Sequence, residues 1–115
     1  MATIVLVCAA GVSGTFLARR IAPSLPGVTF RVATEHALEH SLADVDAILL
    51  APQLAASEDA IRLRVSPRPV VVLPAAAMTP AGSILAVDVV DALVQSLTEA
   101  RASTGTPSQR STEDV

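Results

Sequence analysis

Aromatic residues are almost missing from this chain, which holds two phenylalanines and neither tyrosine nor tryptophan. Recognition by stacking bases on aromatic platforms is thereby excluded. A basic run is missing too: Lys and Arg total 8 against 11 Asp and Glu, a formal net charge of −3. Contacts to a phosphate backbone need clustered cations, so nucleic acid is not an expected partner. Cysteine occurs once, which rules out an internal disulfide and a cysteine-rich zinc site and suits a reducing compartment. The opening MATIVLV carries no charged leader, and its apolar run is too short for a signal peptide or a membrane span. The expectation is a cytoplasmic chain with no direct membrane insertion.

What is present is aliphatic. Of 115 residues, 51% are hydrophobic, enough for one domain with a real core. Val, Leu, Ile and Ala must fill it. Thr3 to Val7 is a β-rich run without alternation, the pattern of a strand buried on both faces. From about Gly14 to Ser24, Phe16, Leu17 and Ile21 recur at helical spacing, with Arg19 and Arg20 between them on an expected solvated face. Val28 to Ala33 alternates and reads as an edge-like strand. Thr34 to Leu42 reads as a short helix with Thr34 as N-cap. Ala47 to Leu50 is a third strand, Gln53 to Val65 a helix, and Val70 to Leu73 a fourth strand. Thr79 and Pro80 open the last helix. Alternation of strand and helix implies a parallel sheet covered on both faces, and right-handed crossovers favour the flavodoxin-like order 2-1-3-4. The domain is expected over residues 1–102, with 103–115 a polar, disordered tail.

The single cysteine lies where such a fold puts chemistry. Ligands bind beyond the carboxyl ends of the strands, at the switch point of strand order. Cys8 ends the first strand there, and Pro52 and Gln53 follow the third. Ala9, Ala10, Gly11, Val12, Ser13, Gly14 and Thr15 then lead into a helix. Most are small, so backbone N–H groups can converge on an anion, and Gly11 and Gly14 allow positive φ. Thr15 can add a hydroxyl donor. Positive charge at a helix N-terminus favours thiolate over thiol and would also hold a phosphoryl group on sulfur. The loop has no Lys after its second glycine, so it is not a nucleotide P-loop. Cys8 is therefore read as a covalent phosphate carrier or the nucleophile of a phosphate-ester hydrolase, rather than a small hydrophobe ending a strand. Gln53 either bonds the loop or faces water. His36 and His40 have a metal-compatible spacing, but no third ligand accompanies them and no metal is expected. Asp88 and Asp91 read as solvated charge on the last helix.

At these residues the chain resembles a known family. VLVCAAGVSGTFLARRI is similar to the active-site segment of the enzyme IIB component of the phosphoenolpyruvate-dependent sugar phosphotransferase system, lactose/cellobiose (chitobiose) type. DVDAILLAPQL and RPVVVL resemble two further segments, and the likeness runs from about residue 3 to 100. It implies a cysteine, here Cys8, phosphorylated by a phosphohistidine of enzyme IIA, with Ala9 to Thr15 as the phosphate loop. The group then passes to a sugar, a disaccharide such as cellobiose, chitobiose or lactose, held by the membrane permease enzyme IIC. No cofactor is implied. Three departures stand out. Gly14 replaces a Thr and removes a hydroxyl. Ala51 replaces a Gly, which makes a left-handed turn there costlier. PAAAMTPAG, Pro74 to Gly82, keeps only Gly82 of the corresponding loop. Two other functions share the layout: a low-molecular-weight phosphatase or arsenate reductase, and a non-catalytic regulatory module. The phosphatases need Cys-x5-Arg and an Asp-Pro acid, whereas Gly14 holds the Arg position here and the chain has no Asp-Pro.

Overall fold

Four strands form the sheet: β1 (Ala2–Cys8), β2 (Val28–Thr34), β3 (Ala47–Leu50) and β4 (Val70–Val72). All pair in parallel, in the order β2-β1-β3-β4. The computed structural model describes residues 2–9 and 12–105, with side chains for 2–9, 12 and 14–100. Three α-helices, α1 (Val12–Ile21), α2 (Glu58–Val65) and α3 (Ser83–Gly105), and five short 3-10 segments make the connections. The layout is the flavodoxin-like one expected from the alternation of elements.

β1 and β3 lie in the middle of the sheet, and their aliphatic runs are buried on both sides. On one face Ile4, Leu6, Ala47 and Leu49 meet Leu17 and Ile21 of α1 and Ala86, Val90 and Leu93 of α3. On the other, Val5, Val7, Ile48 and Leu50 meet Leu38, Leu54 and Ile61 and Val65 of α2. Side chains of this size bury about 1.5–3 kcal/mol each, so the two clusters dominate the stability. Pro80–Ala100 is long and apolar enough to cross a membrane by length and composition. Within this fold, Ala86, Val90 and Leu93 give that apolar character to the core. α3 continues to Gly105, past the boundary expected at residue 102, and 106–115 lie outside the described residues.

Polar side chains fasten the ends of the elements. The Thr3 N–H donates to Asp46 Oδ2 at 2.8 Å, tying the start of β3 to β1. Arg68 donates to the carbonyls of Val45, Val65 and Leu42 at 3.1, 3.0 and 3.3 Å. Arg64 holds both Glu39 carboxylate oxygens, at 2.8 and 2.7 Å, and the Glu35 carbonyl at 2.8 Å. Arg31 of β2 donates to the carbonyls of Ser41 and Ala43 at 3.2 and 2.6 Å.

Helical readings change at three places. The segment after β2 is not an α-helix: β2 itself runs to Thr34, whose register partner is Cys8. Thr34 Oγ1 does accept the Ala37 N–H at 3.3 Å, as a cap would, but the bond closes a turn. A 3-10 helix follows only at Leu38–Ser41. His36 and His40 thus share no helix and are exposed. The helix expected over Gln53 to Val65 is a 3-10 segment, Pro52–Ser57, continued as α2. Thr79 and Pro80 likewise open a 3-10 turn, Pro80–Gly82, before α3 begins at Ser83.

Candidate functional site

Alternation along β1 decides where the thiol goes. Ile4 and Leu6 face the α1 and α3 side, and Cys8 continues that row. Cys8 ends β1 at the carboxyl edge, as expected, but its side chain is only 1% exposed. It lies inward instead of opening into the loop. The reason is Gly14, the third residue of α1: a Cβ there would stand 2.8 Å from Cys8 Sγ and 3.1 Å from Val32 Cγ1. The bare glycine backbone makes the room that the sulfur occupies.

The neighbours of Cys8 follow from the register. Thr34 lies across from it on β2. Val7 is the partner of Leu50 on the other side, and the Ala51 N–H donates to the Val7 carbonyl at 2.9 Å. Cys8 is therefore level with Ala51, and Pro52 and Gln53 start the segment immediately beyond. Pro52 is half-buried and Gln53 exposed. Ala51 adopts φ −62° and ψ 150°, the extended conformation preferred before proline. The expected penalty for replacing glycine there does not arise, because no left-handed turn is made.

α1 starts at Val12, two residues earlier than the apolar spacing predicts. Val12, Ser13, Gly14 and Thr15 are thus helical and form the first turn of α1, whose end carries partial positive charge. Ala9 is an exposed bend. Ala10 and Gly11 lie outside the described residues, as does the side chain of Ser13. Thr15 and Phe16 are exposed, and with Val12, Arg19, Val32, Ala33 and Thr34 they line an open groove between α1 and the end of β2.

Arg20 departs from the expected solvated face. Its Nε donates to Ser83 Oγ at 3.0 Å and an Nη to the Met78 carbonyl at 3.0 Å. It clamps α1 to the turn between β4 and α3, beyond the same sheet edge. Gly82 sits in that turn, and its N–H donates to the Thr79 carbonyl and Oγ1, each at 3.1 Å. No local signal marks Arg20, because its partners lie about sixty residues away. The inward course of Cys8 was available from strand parity. Among the described residues no group of three His, Cys, Asp or Glu is placed to hold a metal.

A thiol that ends the first strand at the carboxyl edge of a parallel sheet covered on both faces, with three residues between it and the first helix, puts the chain in the class of small flavodoxin-like α/β proteins. The family within that class is specific. The family model for the PTS system, lactose/cellobiose specific IIB subunit, matches residues 3–87, from β1 into the first turns of α3, and the chain belongs to that family. It is a component of a sugar phosphotransferase system. No curated protein matches the chain.

Proposed function

We propose that Cys8 is the phosphoryl acceptor of this IIB subunit. Its sulfur attacks the phosphorus of a phosphohistidine on enzyme IIA. The P–N bond breaks, the ring takes up one proton from solvent and leaves as imidazole, and the thiolate sulfur forms an S–P bond. A sugar hydroxyl held by membrane enzyme IIC then attacks phosphorus, the S–P bond breaks, the thiolate returns, and the hydroxyl proton goes to solvent. The sugar is a disaccharide of the cellobiose, chitobiose or lactose kind. The protein works in the cytoplasm and meets the membrane through enzyme IIC.

The observation that carries this reading is the place of Cys8, last in β1 at the carboxyl edge, with three residues between it and the start of α1. Amides of Ala9 to Thr15 and the positive end of α1 are assigned to the phosphoryl oxygens, where preorganised donors stabilise transferring charge. Pro52 and Gln53 form the opposite lip. Family membership and the lone thiol support the same assignment.

Incubation with phosphoenolpyruvate, the general phosphotransferase proteins and a cognate IIA tests it. Mass spectrometry is expected to find one added phosphoryl group, on Cys8. Cys8→Ser is expected to abolish transfer, because a hydroxyl ionises far less at neutral pH. Aryl phosphate hydrolysis is expected to be negligible, since Gly14 stands where a phosphatase needs Arg. Rapid Cys8-dependent hydrolysis without labelling by IIA would replace the carrier with a phosphatase. Neither activity in a folded chain would leave a regulatory module.

A further inference from the structure

We propose that Gly14 is a positioning residue for the Cys8 thiol: it lets Sγ fold inward beneath the first turn of α1, and phosphoryl transfer proceeds from a second rotamer with Sγ turned out of the sheet edge. The proposal rests on the reading of Cys8 as phosphoryl acceptor.

Burial of the thiol calls for a second rotamer, and the space at Gly14 explains the first. In-line attack needs the reacting atoms about 3–3.5 Å apart along an open path. A side chain 1% exposed offers no such path to a phosphohistidine on another protein. A Cβ at residue 14 would also stand 2.8 Å from Sγ, so the inward position accepts the sulfur only beside a glycine.

The movement involved is small. Cysteine has one side-chain torsion with three staggered wells, so rotation about χ1 moves Sγ while β1 keeps its pairing. Gly14 then sets the balance between the wells. With glycine, the inward well is open and stores the thiol out of reach of oxidants and alkylating agents. With a side chain at position 14, the inward well is taken and Sγ turns outward. Val32 Cγ1, at 3.1 Å from the same point, has only a few tenths of an ångström to yield.

Gly14→Ala tests the proposal, with the full chain treated with iodoacetamide at fixed pH and its fold followed by circular dichroism. The alkylation rate is expected to rise by about tenfold or more, as a minor conformer of roughly 0.1–10% becomes the major one. Ile61→Ala, a core deletion on the opposite face of the sheet, is expected to keep the parent rate. An unchanged or slower rate in folded Gly14→Ala, or an equal rise in Ile61→Ala, overturns the proposal. If Gly14→Ala does not fold, the pair Cys8→Ala with Gly14→Ala decides. Folding of the pair, with a melting temperature at or above that of Cys8→Ala alone, places the conflict at Sγ and supports the proposal. Failure of the pair places it at Val32 and overturns the proposal. Alkylation needs no enzyme IIA, so a rate increase in a chain that IIA never phosphorylates removes the carrier reading alone. Phosphorylation of Cys8 with unchanged alkylation removes only the role of Gly14.

Discussion

Replacing Gly82 by alanine sets a methyl group 1.7 Å from the Ala76 carbonyl oxygen and 2.7 Å from its carbonyl carbon. Comfortable non-bonded separations are about 3.5 Å, so the turn has to open by about 2 Å. The obstacle is backbone and cannot rotate away. The same Ala76 oxygen accepts Thr79 Oγ1 at 2.8 Å and the Thr79 N–H at 3.3 Å. Gly82 in turn donates to Thr79, so the two sides of the turn are cross-tied. Overpacking costs about 1–3 kcal/mol. Breaking two of these bonds adds about 1 kcal/mol each, for a total of about 3–5 kcal/mol. That is a large part of the ~5–15 kcal/mol available to a domain. Urea unfolding is the assay. At a slope of about 2 kcal/mol/M the midpoint is expected to fall by roughly 1.5–2.5 M. Gly27→Ala is the control, since nothing lies within 4 Å of a Cβ there, and its change is expected within about 0.5 kcal/mol. A loss below about 1 kcal/mol in Gly82→Ala would refute the collision argument.

Three further outcomes are expected. The Arg64 guanidinium bonded to Glu39 holds that carboxyl down at about 2 against an ordinary 4.5. A depressed folded value contributes stability that is present above about 4.5 and lost as pH falls toward 2. Carboxyl NMR titration of Glu39 checks the midpoint, which is expected to move up in Arg64→Ala. Leu49→Ala empties a fully buried position in the central strand and is expected to cost about 2–5 kcal/mol in the same urea assay. Asp44 has φ 61°, a left-handed conformation that Asp tolerates. Asp44→Val is therefore expected to lose about 1–2 kcal/mol, measured as a drop in melting temperature.

Burial and parity made the middle of the sheet legible. The unalternating runs of β1 and β3 are those of strands covered on both faces, and placing them centrally leads to the order β2-β1-β3-β4 and to Cys8 at the carboxyl edge. Composition says less about connections of a single turn. Thr34 to Leu42 and the start of Gln53 to Val65 have apolar residues at spacings that α and 3-10 geometry share over so few residues. Pairing along β1 decided the first case by drawing Thr34 into the sheet. Ala51 shows a local rule applied to the wrong backbone, since the following proline holds it extended. Arg20 needed distant partners, Met78 and Ser83, before its role had any sign. The row taken by the Cys8 side chain follows from parity along β1, whereas the room for its sulfur beside Gly14 depended on packing that no loop pattern encodes.

β2 is the outermost strand on one side, seven residues long, and among the described residues no strand pairs with its outer flank. A long bare rim is a template on which a second chain can add its own strand, the first step toward aggregation. Arg31, in the middle of β2, fixes a guanidinium on that strand through the carbonyls of Ser41 and Ala43, and exposed Thr29 keeps the neighbourhood polar. At the opposite rim β4 has only three residues, too few to seed such growth. One rim carries a charge and the other is short, two features that oppose growth of the sheet by edge pairing.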